Sequence, residues 1–197
     1  MLDLKHHSFL NLQKNDILDL RKAEPGLKHV MLGAGWDVAK KGFFNIGPDC
    51  DLDLIALLLD SNDKLINRGV IYFGNLKGDG IYLHGDNRTG AGDGDDEKIS
   101  VDLDRLPAQC EKVIFALNIY DAVSRKQTFS KIKNAYIRIL NEDKGNKEIC
   151  RYNLSEDGGD NTALLFAELQ RASGNWQFKA KGELLKATVK SLADMYK

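Results

Sequence analysis

A chain of 197 residues, 43% hydrophobic and 29% charged, can bury one domain-sized core and still keep a well-solvated surface. Its formal net charge of -1 lacks the basic excess of a general nucleic-acid binder, and no run approaches the roughly 18 apolar residues of a bilayer span. Three scattered cysteines, Cys50, Cys110 and Cys150, exclude a disulfide framework and a CxxC zinc site; with a start (MLDLKHHSFLNLQKND) that lacks a signal peptide's apolar core, they predict a reducing, cytoplasmic setting.

Short apolar segments recur between clusters of Gly, Asn and Asp. In chain order they are Phe9–Leu12, Val30–Leu32, Leu52–Leu59, Val70–Phe73, Ile81–Leu83, Ile99–Leu103, Val113–Tyr120, Ala135–Leu140, Ile149–Leu154 and Trp176–Ala180. Many alternate. Ile99, Val101 and Leu103 point one way while Ser100, Asp102 and Asp104 point the other, the period of a half-buried strand. About ten such segments, roughly one per 15–20 residues, predict a mainly β protein built as a β-sandwich of two sheets.

Two segments predict peripheral helices instead. Thr162–Ala172 sets Leu164, Leu165, Phe166 and Leu169 at helical intervals, with Asn161 or Thr162 as cap and Gly174 as stop, so one helix is expected near 162–173. Gly182–Tyr196 carries Leu184, Leu185, Val189, Leu192 and Met195 on a stripe, which predicts a C-terminal helix. Both are read as covers for the core. Pro25, Pro48 and Pro107 stand singly, no linker or repeat divides the chain, and 1–197 is expected to be a single domain.

The chemistry concentrates in His84–Glu97, HGDNRTGAGDGDDE. Asp86, Asp93, Asp95, Asp96 and Glu97 face one basic residue, Arg88, while Gly85, Gly90, Gly92 and Gly94 let the backbone fold back and turn its carbonyls inward. Crowded carboxylates repel by about 1 kcal/mol per close pair at a surface, and a hard cation removes that cost. Calcium takes six to eight oxygen ligands from carboxylates, Asn side chains, carbonyls and water; this segment offers all of them and no soft ligand beyond His84. A solvated acidic loop is the plain alternative. An EF-hand is excluded, because its D-x-[DN]-x-[DN]-G spacing is absent and a strand pattern follows.

A second acidic stretch, Asp49–Asp60, places Asp49, Asp51 and Asp53 at alternate positions, on one face of an extended strand with Leu52 and Leu54 facing the core. It reads either as a solvated sheet face or as part of a cation site beside the first loop. Asp60 reads as a turn residue. Catalytic signatures are weak: Gly33-Ala34-Gly35 lacks a third glycine, and no GxxxxGK[ST], GxSxG or HExxH is present. His84 reads as structural before catalytic, the cysteines as buried small hydrophobes, and Trp36 and Trp176 as core anchors.

The order of motifs resembles the tellurite-resistance TerD family. Leu12-Gln13-Lys14, Pro25-Gly26-Leu27, Gly35-Trp36-Asp37, Asp51-Leu52-Asp53, Gly85-Asp86-Asn87-Arg88-Thr89-Gly90 and Asp93-Gly94-Asp95-Asp96-Glu97 occur in that family's order, followed by Ile119-Tyr120-Asp121-Ala122 and Trp176-Gln177-Phe178. Cys50 stands where the family pattern has Phe. The resemblance implies a β-sandwich with a few helices, two Ca2+ ions near the acidic loops, and a non-enzymatic bacterial stress-response role tied to tellurite, phage and colicin resistance. Carried over by motif, the implied metal ligands are Asp51, Asp53, Asp86, Asn87, Thr89 (by its carbonyl), Asp93, Asp95, Asp96 and Glu97. It also implies protein partners from the same operon, membrane-associated ones included, with no direct contact to nucleic acid or membrane. The competing reading is a metal-dependent enzyme acting on a phosphate or nucleotide substrate, for which the sequence offers no base, nucleophile or phosphate cradle.

Overall fold

Alternating apolar residues need a second apolar face to bury them, and here two sheets supply it for each other. The computed structural model describes residues 9–38, 50–85 and 94–197. In chain order the described strands are β1 (Leu10–Leu12), β2 (Ile17–Asp19), β3 (His29–Val38), β4 (Leu52–Leu59), β5 (Leu65–Ile71), β6 (Lys77–Gly78), β7 (Ile81–Leu83), β8 (Glu97–Asp102), β9 (Lys112–Ile119), β10 (Ile132–Asn141), β11 (Lys147–Asn153), β12 (Ala163–Ala172) and β13 (Asn175–Leu185). Three short helices join them: α1 (Leu20–Ala23), α2 (Ala122–Arg125) and α3 (Val189–Asp194).

One sheet runs β1-β11-β10-β3-β8-β7-β6 and the other β2-β13-β12-β9-β4-β5. Every pairing is antiparallel except β1 with β11. Between the sheets, Val30, Leu32 and Ala34 of β3 and Ile99 and Val101 of β8 pack in one cluster with Leu52, Leu54 and Ala56 of β4 and Phe115 and Leu117 of β9. The outer face of the six-stranded sheet is apolar too. Ile55, Leu57 and Leu59 of β4, Ile114 and Ala116 of β9 and Leu165 of β12 form a second cluster, closed by Leu192 of α3.

Strand β4 is therefore buried along its whole length. Its one acid, Asp53, lies in a covered layer and not on the solvated sheet face that alternation alone allowed. Both tryptophans are buried, and Trp176 Nε1–H donates to the Leu103 carbonyl at 3.3 Å. Asp60 caps the β4–β5 turn, its Oδ1 accepting from the amides of Asn62 (2.8 Å) and Lys64 (3.0 Å).

The helix expected near 162–173 is a strand, β12, lying between β13 and β9. A strand buried on both faces shows no polar alternation. In addition, the register of β12 against both neighbours slips between Leu165 and Ala167. The slip puts Leu164, Phe166, Ala167 and Leu169 all into the inter-sheet core, a spacing that imitates one face of a helix. The C-terminal helix is also shorter than the stripe predicts. β13 continues to Leu185, through a positive φ of 66° at Gly182, where a Cβ would lie 2.0 Å from Tyr152 Oη. Only then does Thr188 cap α3, sharing a reciprocal capping box with Ser191.

Candidate metal centre

Antiparallel pairing brings three acidic segments to one end of the sandwich. Glu97, the first residue of β8, sits opposite Ala34, so the residues before it lie alongside Trp36 and Asp37 at the end of β3. Gly94, at φ 127°, takes a conformation closed to L side chains as the chain returns toward β8. The Asp96 amide then donates to the Ala34 carbonyl at 2.8 Å, and Asp96 Oδ2 accepts from the Trp36 amide at 2.8 Å. Glu97 reaches across to the other sheet, its Oε2 accepting from the Leu54 amide at 2.9 Å. Strand β4 begins beside it, with Asp51 holding the Tyr120 amide through its carbonyl at 2.8 Å.

Three acids of this region are almost wholly removed from solvent: Asp53 at 4%, Asp96 at 7% and Glu97 at 3% exposure. Burial raises the Asp96 carboxyl above the usual aspartate range; the Trp36 amide opposes that, and the charges of Asp37 and Asp95 add to it. Asp53 also borders a cavity of about 590 Å³ with Asn118, Phe73 and Tyr120.

Asp95 is placed differently. Its side chain is 1% exposed and is bound by Arg138, Oδ1 at 2.7 Å from Nε and Oδ2 at 3.0 Å from Nη2, while the Tyr136 hydroxyl donates to Oδ1 at 3.1 Å. Asp86, Asn87, Thr89 and Asp93 lie outside the described residues. Among the described residues, no three His, Cys, Asp or Glu side chains form a group able to hold a metal ion by themselves. Asp37, the last residue of the Gly35-Trp36-Asp37 motif, also lies at this end of the sandwich; its charge adds to the rise at Asp96, and its Oδ2 accepts from Asn134 Nδ2 at 2.6 Å.

His84 is engaged elsewhere. Ser100 Oγ donates to Glu142 Oε1 at 2.9 Å, so it must accept from His84 Nε2–H at 2.8 Å. That tautomer leaves no lone pair on Nε2 for a metal or a proton. The His84 ring also packs edge-on against Tyr82, centroids 4.9 Å apart. The three cysteines are buried and reduced, and burial pushes the thiols of Cys110 and Cys150 up to about 11 and about 12. Neither is a thiolate at neutral pH.

The fold and this region together define a two-sheet β-sandwich with buried carboxylates gathered at one end. The TerD domain model matches residues 9–196. The chain is 44% identical over 179 residues to the tellurium resistance protein TerD of Serratia marcescens, covering 88% of this chain and 90% of that protein. It is 40% identical over 183 residues to the stress response protein SCP2 of Bacillus subtilis, covering 88% and 92%. Among solved structures, a homologue of telluride resistance protein (TerD), SCO6318 from Streptomyces coelicolor A3(2), superposes with a TM-score of 0.69 at 25% identity, covering 87% of this chain and 99% of that one. The chain belongs to the TerD family of tellurium-resistance and stress-response proteins.

Proposed function

We propose that the protein is a cytoplasmic calcium-binding module that works through protein partners and catalyses no reaction. The observation that carries this reading is Asp96. Its carboxylate is buried beside two further acids and has no ion pair among the described residues, an arrangement that a hard divalent cation relieves. Donor chemistry agrees, because Asp53, Asp96 and Glu97 offer oxygen only. Bound calcium would supply the positive charge that offsets this concentration of carboxylates.

In this reading the ligands are Asp51, Asp53, Asp96 and Glu97, joined by Asp86, Asn87, Thr89 and Asp93. The backbone bonds from Trp36 and Leu54 orient Asp96 and Glu97 before the ion arrives. A non-catalytic role is supported by the hydrogen bond that occupies His84 Nε2 and by the raised thiol pKa values of Cys110 and Cys150, which keep both protonated at neutral pH. Among the described residues no helix is long and apolar enough to cross a membrane.

Calorimetric titration of calcium into EDTA-stripped protein tests the reading, with magnesium and an Asp96→Asn variant as controls. Saturable calcium binding near two equivalents, weak for magnesium and lost in the variant, is the expected result. Absence of binding up to millimolar calcium would reduce the acidic end to a structural feature of the fold.

A further inference from the structure

The geometry assigns Asp95 and Arg138 a single role: together they form a clamp that sets cation affinity from outside the coordination sphere, with Asp95 an anchor and not a ligand. The inference rests on the calcium reading above and names the positioning residues of that site.

Asp95 directly precedes Asp96, yet the two acids meet opposite fates. Asp96 accepts from the Trp36 amide among other acids, whereas both Asp95 oxygens are taken by one guanidinium and one also accepts from Tyr136. Burial, with Asp95 adding to it, pushes the Tyr136 phenol up to about 12, so this donor keeps its proton at any working pH. Arg138 is itself fixed. Its Nη1 donates to Glu148 Oε2 at 2.8 Å, and Glu148 is forked by Arg151 through Nε at 2.8 Å and Nη2 at 3.1 Å. The Arg151 guanidinium in turn lies 4.4 Å from the Tyr136 ring centroid. Two carboxylates and two guanidinium groups thus form a closed, neutral set on the outer face of the seven-stranded sheet. The three bonds use most of the acceptor capacity of Asp95, and a cation on what remains would sit directly beside the Arg138 guanidinium.

The backbone beneath the clamp is cut to fit it. A Cβ on Gly33 would lie 2.3 Å from Asp95 Oδ2, and one on Gly35 2.5 Å from Tyr136. Neither glycine takes a positive φ, so what these positions require is space and not backbone freedom. Strand β3 therefore carries a two-residue notch on one face for the clamp, and in the same stretch offers the Ala34 carbonyl and Trp36 amide to Asp96. With Asp95 pinned, Asp96 and Glu97 are already ordered when the ion binds, and the entropy of ordering them is not charged to binding.

Charge and order predict opposite outcomes once Arg138 is removed. Freeing Asp95 adds a negative charge near the site, which by itself would tighten cation binding. Losing the anchor loosens it. The clamp reading commits to the second.

The test is calcium calorimetry on the full EDTA-stripped chain, with amide hydrogen exchange of the calcium-free protein as a second readout. Asp95→Asn and Arg138→Gln are each expected to weaken calcium binding about tenfold at unchanged stoichiometry, the usual size of an outer-sphere effect. The double variant should be no weaker than either single one, because the two residues act as a unit. Arg138→Lys, which keeps the charge but not the fork, should fail to restore affinity. Exchange at Asp96 and Glu97 should accelerate while the β12–β13 pairing stays protected. Tyr136→Phe removes one bond from the clamp and stands in should the larger changes unfold the chain; it should weaken binding by a smaller factor. Loss of a calcium equivalent in Asp95→Asn, or tighter binding in Arg138→Gln, would overturn the clamp while leaving the calcium site intact. No calcium binding by the unaltered protein would overturn both.

Discussion

Glu24 and Asp96 are both buried acids, at 5% and 7% exposure, and the fold treats them in opposite ways. Glu24 follows α1 and is met by the turn between β10 and β11 and the strand residues that flank it: Lys144 Nζ donates to Oε2 at 2.7 Å, Lys147 Nζ to Oε1 at 2.9 Å, and Asn141 Nδ2 to Oε2 at 3.3 Å. Those hydrogen bonds and charges hold its carboxyl down at about 2. Asp96 has one backbone amide, and its nearest charges are other acids, so its carboxyl is raised. A buried acid that brings its own cations is a structural tie. One that is left among like charges marks a place where a cation from solution has something to gain.

The largest expected difference between the two is in the response to calcium. At a hundredfold excess over Kd, a bound ion stabilises the fold by about 2.7 kcal/mol. Thermal unfolding of the unaltered protein should shift upward between EDTA and calcium, and Asp96→Asn should abolish that shift. In EDTA the same variant should be as stable as the parent or more so, since it removes an uncompensated charge. A variant clearly less stable than the parent in EDTA would mean that Asp96 is a structural tie like Glu24, and the contrast would collapse.

Glu24→Gln provides the converse. It leaves two exposed lysines without their acid and should cost about 1–3 kcal/mol in denaturant unfolding. Its calcium response should be that of the parent. A calcium shift that shrinks along with stability would show that the two regions are coupled through the sheet.

How much of this was legible beforehand depends on what each residue faces. β4 and β7 follow the apolar runs residue for residue, Leu52–Leu59 and Ile81–Leu83, because Gly, Asn and Asp bound those runs sharply. β12 was misread because burial on both faces and the slip at Phe166 erased the period of two, and nothing local reveals that a strand will be covered twice. The acidic residues were legible as a group from composition alone. Their separation into Asp96 among acids and Asp95 under Arg138 was not, because the partner lies 43 residues away and is delivered by β10 pairing with β3. Gly33 and Gly35 looked like part of a weak nucleotide fingerprint. Their actual constraint is the Asp95 and Tyr136 side chains on the neighbouring chain segments.

The smallest expected effect is in pH dependence, and its sign separates the two acids. Glu24 has a folded pKa below its ordinary value of 4.5, so the folded state holds fewer protons than the unfolded one across that interval. Its contribution is complete above about 4.5 and is lost as pH falls toward about 2. Asp96 is raised above 3.8, so the folded state holds more protons, and its contribution declines as pH climbs from 3.8 through the raised value. In calcium-free buffer, subtracting the Glu24→Gln stability curve from the parent curve should leave a difference that shrinks on acidification below pH 4.5. The same subtraction with Asp96→Asn should leave a difference that moves against the parent as pH rises from 3.8. Two curves of the same slope would mean that Asp96 finds a cation within the protein itself, and the reason for a calcium ion at that end of the sandwich would go with it.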